Sequence, residues 1–104
     1  MILSTTEFIP EREIEKILGI ARGSTVRSRN VARDLVAQLK NIIGGEIEEY
    51  TKLQADAREQ ALQRMISDAK KLDADAIVNV RFTTSVVAQG ASEMLAYGTP
   101  VKLK

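Results

Sequence analysis

Hydrophobic positions change their spacing along this chain, and each spacing predicts an element. Val31, Leu35, Leu39, Ile42 and Ile43 recur every three to four residues, which predicts an amphipathic helix with Asn30 or Ser28 as its N-cap. Gly44-Gly45 ends it. A longer helix follows from about Glu46 to Leu72. At about 100° per residue, Ile47, Tyr50, Ala57, Ala61, Leu62, Met65, Ala69 and Leu72 form one apolar stripe. Glu48, Lys52, Asp56, Glu59, Gln63 and Lys70 populate the other side, and the absence of glycine agrees with the pattern. From Ala76 to Val87 the period falls to two. Val78, Val80, Phe82 and Val86 alternate with Asn79, Arg81, Thr83 and Ser85, which predicts a strand with one buried face. Ala88 to Ser92 supply a turn, and a second strand sets Leu95, Tyr97, Thr99, Val101 and Leu103 on one side.

The first third is less regular. Ile2 and Leu3 suggest a short strand. Pro10 to Leu18 reads as helix on local chemistry, with Pro at a first helical position, early acids, and Ile14, Ile17 and Leu18 at helical spacing. Gly19 to Gly23 interrupts that helix, and Ser24 to Ser28 reads as strand or loop. A lone two-stranded sheet is marginal, so the N-terminal segment is expected to add a strand. The combined expectation is an α+β fold of two layers. A small antiparallel or mixed sheet packs on the long helix plus the shorter one.

Composition narrows the chemistry. The 104 residues make one domain, spanning 1–104, with no repeat or linker in view. Histidine, cysteine and tryptophan are absent. That excludes zinc fingers, Cys-His and Ser-His catalysis, and disulfide frameworks. Fifteen basic residues against 14 acidic ones give a net charge of +1, so neither nucleic acid nor an anionic membrane is an expected partner. Met1 to Glu7 lacks the basic start of a signal peptide, and no apolar run approaches the ~20 residues of a membrane span. The expected location is the cytoplasm.

Several stretches resemble the YbjQ-like family of small proteins. They are Leu18-Gly19-Ile20, Arg33-Asp34-Leu35, Ile43-Gly44-Gly45-Glu46-Ile47 with Tyr50-Thr51, and Ala57-Arg58-Glu59 with Ala61-Leu62 and Arg64-Met65. Ala74 to Val78, Val80-Arg81-Phe82 and Leu95-Ala96-Tyr97-Gly98-Thr99 complete the set, in order over the whole chain. The resemblance implies a dodecin-like subunit assembled as a ring, a homopentamer, with short extra strands joining neighbours. It implies a strand over Glu13 to Val26, against the local helix reading. It also brings a heavy-metal-binding label with no established activity. The chain departs from the family pattern at Ala32 and Asp73, where glycine is usual, and at Pro100, where alanine is usual. Asp73 can still close a helix in a left-handed conformation. Pro100 lacks a strand donor and is expected at an edge or where the ladder is already interrupted.

Candidate chemistry is sparse. Thiophilic metals prefer thiolate and imidazole, which this chain lacks. Glu46, Glu49 and Glu59 suit only a hard cation, or are plain helix-surface acids. Gly44-Gly45-Glu46 reads as a helix stop and restart, or as amides near an anion. Arg58 falls inside the apolar stripe and needs an answer: a salt bridge within or between chains, snorkelling, or a ligand. Asn79, Arg81, Thr83 and Ser85 line a polar sheet face, which Met94, Ala96 and Gly98 would complete with small groups. Such a face is either solvated or covered by a ligand or another subunit. Tyr50 and Tyr97 join these as binding or interface candidates. No catalytic constellation stands at a recognisable spacing. The expectation is a non-enzymatic homo-oligomer that binds a small ligand or ion, its cofactors undefined; the alternative is a structural or adaptor module that binds another protein.

Overall fold

The structure, a computed structural model, describes residues 1–27, 48–89 and 91–104, with helix side chains from residue 51 onward. Its elements are β1 (Ile2–Leu3), β2 (Ile14–Ile17), β3 (Ala21–Arg27), α1 (Glu48–Lys71), β4 (Ala76–Ala88) and β5 (Ala91–Leu103). The expected helix over Val31 to Ile43 and the Gly44-Gly45 break lie outside the described residues.

Strands β4 and β5 form a long antiparallel hairpin, closed where Ala88 stands opposite Ala91. The turn is therefore tighter than Ala88 to Ser92. Strand β1 pairs parallel with β4, while β2 and β3 both lie antiparallel along the other side of β5. Among the described residues the sheet is mixed and has five strands.

Pro10 to Leu18 does not form the helix that local chemistry suggests. It carries β2, and the expected strand over Glu13 to Val26 is present in two pieces, β2 and β3. Long-range pairing decides this against propensity. Leu18 N–H donates to the Pro100 carbonyl at 2.8 Å, Lys104 N–H donates to that of Glu13 at 3.0 Å, and Ile14 packs against Val101 and Leu103. Pro100 sits opposite Ile77 on one side, and on the other where β5 passes from β3 to β2. A residue's N–H and C=O point to the same side of a strand, so the missing donor falls at that interruption.

Helix α1 lies within the expected limits. Ala57, Ala61, Met65 and Ala69, spaced four apart, are buried against the sheet, with Leu62 and Ile66 half-buried beside them. Gly23 of β3 permits the close approach, since a Cβ there would fall on the Met65 backbone nitrogen and the Ala61 carbonyl oxygen. The helix ends at Asp73, whose φ is 60°. Asp73 N–H reaches the Lys70 carbonyl at 3.0 Å and Ala74 N–H reaches that of Ala69 at 3.2 Å, a paired closure of the last turn.

A bulge in β4 splits the core. Between Val78 and Arg81 the register shifts by one residue, with Asn79 at φ 54°. Asn79 and Val80 donate their N–H groups to Thr6 and Ser4 of the N-terminal segment. The shift inverts the alternation. Val80 and Ile77 join Met94, Ala96 and Met65 under the helix, whereas Val78 and Ala76 join Val101, Leu103, Ile9 and Ile14 on the opposite face. The expected single buried stripe from Val78 to Val86 therefore does not exist. Phe82 is 45% exposed and Val86 80% exposed.

Candidate functional site on the open sheet face

Register assigns the two faces of the sheet, because directly opposed residues share a face. Ala21, Gly23 and Thr25 of β3 oppose Gly98, Ala96 and Met94 of β5, and all six are buried on the helix side. Met94, Ala96 and Gly98 thus do not cover the polar face as expected. Thr25 Oγ1 donates to the Ala57 carbonyl at 3.1 Å, and Thr84 Oγ1 to Met94 Sδ at 3.3 Å, on that same side.

The opposite face carries the candidate polar residues. Tyr97 stands opposite Arg81 of β4 and, across its other edge, opposite Arg22 of β3. The next row is Ser24, Leu95 and Thr83, and the one beyond it is Val26, Glu93 and Ser85. Arg81, Thr83, Ser85 and Tyr97 therefore share one face of the sheet, and all are exposed. Asn79 lies in the bulge at its lower border. Arg81 Nη1 donates to the Thr5 carbonyl at 2.8 Å and to its neighbour Val80 at 2.9 Å, which fixes the guanidinium over the N-terminal segment.

Arg22 is the residue that the sequence reading missed. The signal was available: small Ala21, Gly23 and Thr25 alternate with Arg22, Ser24 and Val26, a period of two hidden behind the apparent helix break. Its backbone is anchored from the helix, with Arg22 N–H donating to Asp68 Oδ2 at 3.0 Å.

The other candidates are not gathered here. Arg58 lies next to the buried row on α1 but its side chain is exposed, so it does not sit in an apolar stripe. Buried positions four apart leave Arg58 about 100° round the helix from Ala57. Glu59 is exposed and accepts a hydrogen bond from Gln63 Nε2 at 2.9 Å. Glu46 lies outside the described residues, as do the side chains of Glu49 and Tyr50.

Carboxylates meet elsewhere. Asp73 and Asp75 converge on Lys102 Nζ at 3.2 and 3.6 Å, and Asp75 Oδ2 also accepts the Leu103 N–H at 2.9 Å. That backbone hydrogen bond, with the Lys102 charge, holds the Asp75 carboxyl below its ordinary value. Lys102 is raised, chiefly by its hydrogen bond to Asp73. The pair closes the helix onto β5; with an ammonium already between them, the acids offer no vacant cation site.

This architecture is that of an α+β protein with one sheet face under a helix and the other partly open. The chain belongs to the family described as "Putative heavy-metal-binding", which it matches over residues 1–104. Among its relatives, a "UPF0145 protein" of Archaeoglobus fulgidus is 60% identical over 104 residues, covering 100% of this chain and 96% of the relative. Another of the same name from Vibrio campbellii is 55% identical over 103 residues, covering 99% of each. The crystal structure of a protein with unknown function from Pediococcus pentosaceus is similar in fold. Its TM-score is 0.57 at 16% identity, covering 100% of this chain and 98% of that one.

The donor set does not fit the family's heavy-metal description. The chain has no cysteine or histidine, and among the described residues no three acidic side chains are grouped to hold an ion. No helix among the described residues is long and apolar enough to cross a membrane.

Proposed function

We propose that this protein is a non-enzymatic subunit of a homo-oligomeric ring, five-membered as the family resemblance implies, which binds a small ligand or ion where subunits meet. The observation that carries this reading is the far half of the β4–β5 hairpin. Val86 is 80% exposed, Val87 54% and Phe82 45%, and no strand among the described residues pairs with the outer edge of β4 from Arg81 to Ala88. Apolar side chains beside an open edge are the usual mark of a surface that another chain covers. Dimensions support it as well. The chain measures 54 × 27 × 16 Å with a radius of gyration of 17.0 Å, against about 13 Å for a closed domain of this length.

Light scattering and native mass spectrometry on the full chain test this. The expected result is a ring, with a co-purifying small molecule or ion retained under gentle conditions. Val86→Glu is expected to reduce it to lower-mass species, because a charge cannot be buried unpaired at a subunit contact. A monomer at micromolar concentration overturns the reading. A bare ring that captures another protein favours the adaptor alternative.

A further inference from the structure

We infer that the row Arg22–Tyr97–Arg81 is a binding site for an aromatic ring bearing a phosphate group. The inference goes beyond the reading above, which places a ligand where subunits meet, and assigns a separate site with its own ligand chemistry. The site lies within one chain, so it can be tested apart from the ring.

Three features of the row support it. The first is placement. Adjacent strands lie about 4.8 Å apart, so the backbones of Arg22 and Arg81 stand about 10 Å apart with Tyr97 between them on the same face. All three residues are exposed, Tyr97 at 38%. Two long side chains can therefore close over a group resting on the phenol ring.

The second is charge. Neither guanidinium forms an ion pair among the described residues, where the bridges involve only Lys102 and Lys104. The nearest acid along that face of β5 is Glu93, four residues away, or about 13 Å. Two positive charges with no acid paired to them among the described residues match a phosphate of about −1.5 to −2 better than a single carboxylate. An aromatic platform under them adds stacking for a planar ring, and a net charge of only +1 gives little attraction for a polyanion.

The third is preorganisation. Arg81 spends one nitrogen on the Thr5 and Val80 carbonyls, which holds the fork in place and leaves its other donors free. The backbone of Arg22 is tied to Asp68. Arg81 is thus held before a ligand arrives, and the Arg22 side chain is what the ligand has to order.

Isothermal titration of the full chain with adenosine 5′-monophosphate, adenosine and inorganic phosphate tests the site. The nucleotide is expected to bind more tightly than either half. Arg22→Gln and Tyr97→Leu are each expected to weaken it by about tenfold or more, with melting temperature and assembly mass unchanged. Arg81 also holds Thr5, so its replacement would mix binding with folding, and Arg22→Gln is the deciding variant. The inference is overturned by no binding at millimolar nucleotide, by equal affinity for phosphate alone, or by an Arg22→Gln protein that binds like the parent. Mass measured on the same samples separates the two readings. A ring that binds no nucleotide overturns this inference alone; a monomer that binds it, with both variants impaired, supports the site and overturns the ring.

Discussion

Asp68 reaches from α1 to the outer edge of β3, where its Oδ2 accepts the N–H of Arg22 at 3.0 Å. One turn earlier, Arg64 Nη1 donates to the Ser24 carbonyl at 2.6 Å. Four helical residues rise about 6 Å and two strand residues about 6.7 Å. Side chains four apart on α1 therefore meet successive outward-facing groups of the strand. An edge strand normally leaves that row unpaired and open to another chain. Here the helix satisfies two groups of that row, whereas the outer edge of the far half of β4 pairs with no strand among the described residues.

Asp68→Ala removes one of these acceptors and returns the Arg22 N–H to water. A charge-assisted hydrogen bond of this kind contributes about 1–2 kcal/mol. Chemical denaturation is expected to show a loss of that size with an unchanged slope. A loss within about 0.3 kcal/mol would mean that the edge does not depend on Asp68.

Gly23→Ala is expected to cost at least as much. The added methyl would meet the backbone of Ala61, Arg64 and Met65, and backbone cannot swing aside as a side chain does. Overpacking of this sort costs about 1–3 kcal/mol or more. A melting temperature equal to that of the parent would show that α1 does not approach β3 so closely. The change should also spare the Arg22 row, which lies on the other face of the strand.

Asp75 and Lys102 set an expectation for pH. Asp75 is held below its ordinary value by the Leu103 N–H, then by Lys102. A depressed folded value means that its contribution is present above about pH 3.9 and fades as pH falls through the folded value. Lys102 is raised, so its contribution is present below about pH 10.4 and fades as pH climbs past the folded value. Asp75→Asn should lower stability at neutral pH, with the gap from the parent narrowing as the parent carboxyl is protonated. Denaturation midpoints compared at about pH 7 and about pH 3 check this, and a constant gap would rule it out.

Much of this molecule was legible in the chain. The apolar stripe from Ile47 to Leu72 located the helix, although only Ala57, Ala61, Met65 and Ala69 of it are fully buried and Leu72 is exposed, and the alternation after Ala76 located the hairpin. Arg81, Thr83 and Ser85 are recognisable as residues of one face, but the pattern sets Met94, Ala96 and Gly98 beside them, and only the register puts Tyr97 there instead. Arg58 was misplaced because a helical wheel averages over a whole helix, whereas contact with a flat sheet selects a narrow row. Arg22 was missed because the period of two that carries it is short and follows Gly19, where φ is 123°.

Local pattern alone thus determined the long helix and the β4–β5 hairpin, the absence of thiol and imidazole chemistry, and the closing of the helix at Asp73. These depend on neighbours in sequence, through propensity, capping and composition. Tertiary structure decided the rest. Pairing with β5 drew Ile14 to Ile17 into a strand, since hydrogen bonds to Pro100 and Lys104 outweigh a weak helical preference. The bulge at Asn79 sent Val78 and Val80 to opposite faces, because the N-terminal segment takes two N–H groups that a regular ladder would have kept. The row of Arg22, Tyr97 and Arg81 exists only through the register of three strands, whose members stand far apart in the chain and about 5 Å from each neighbour across the sheet.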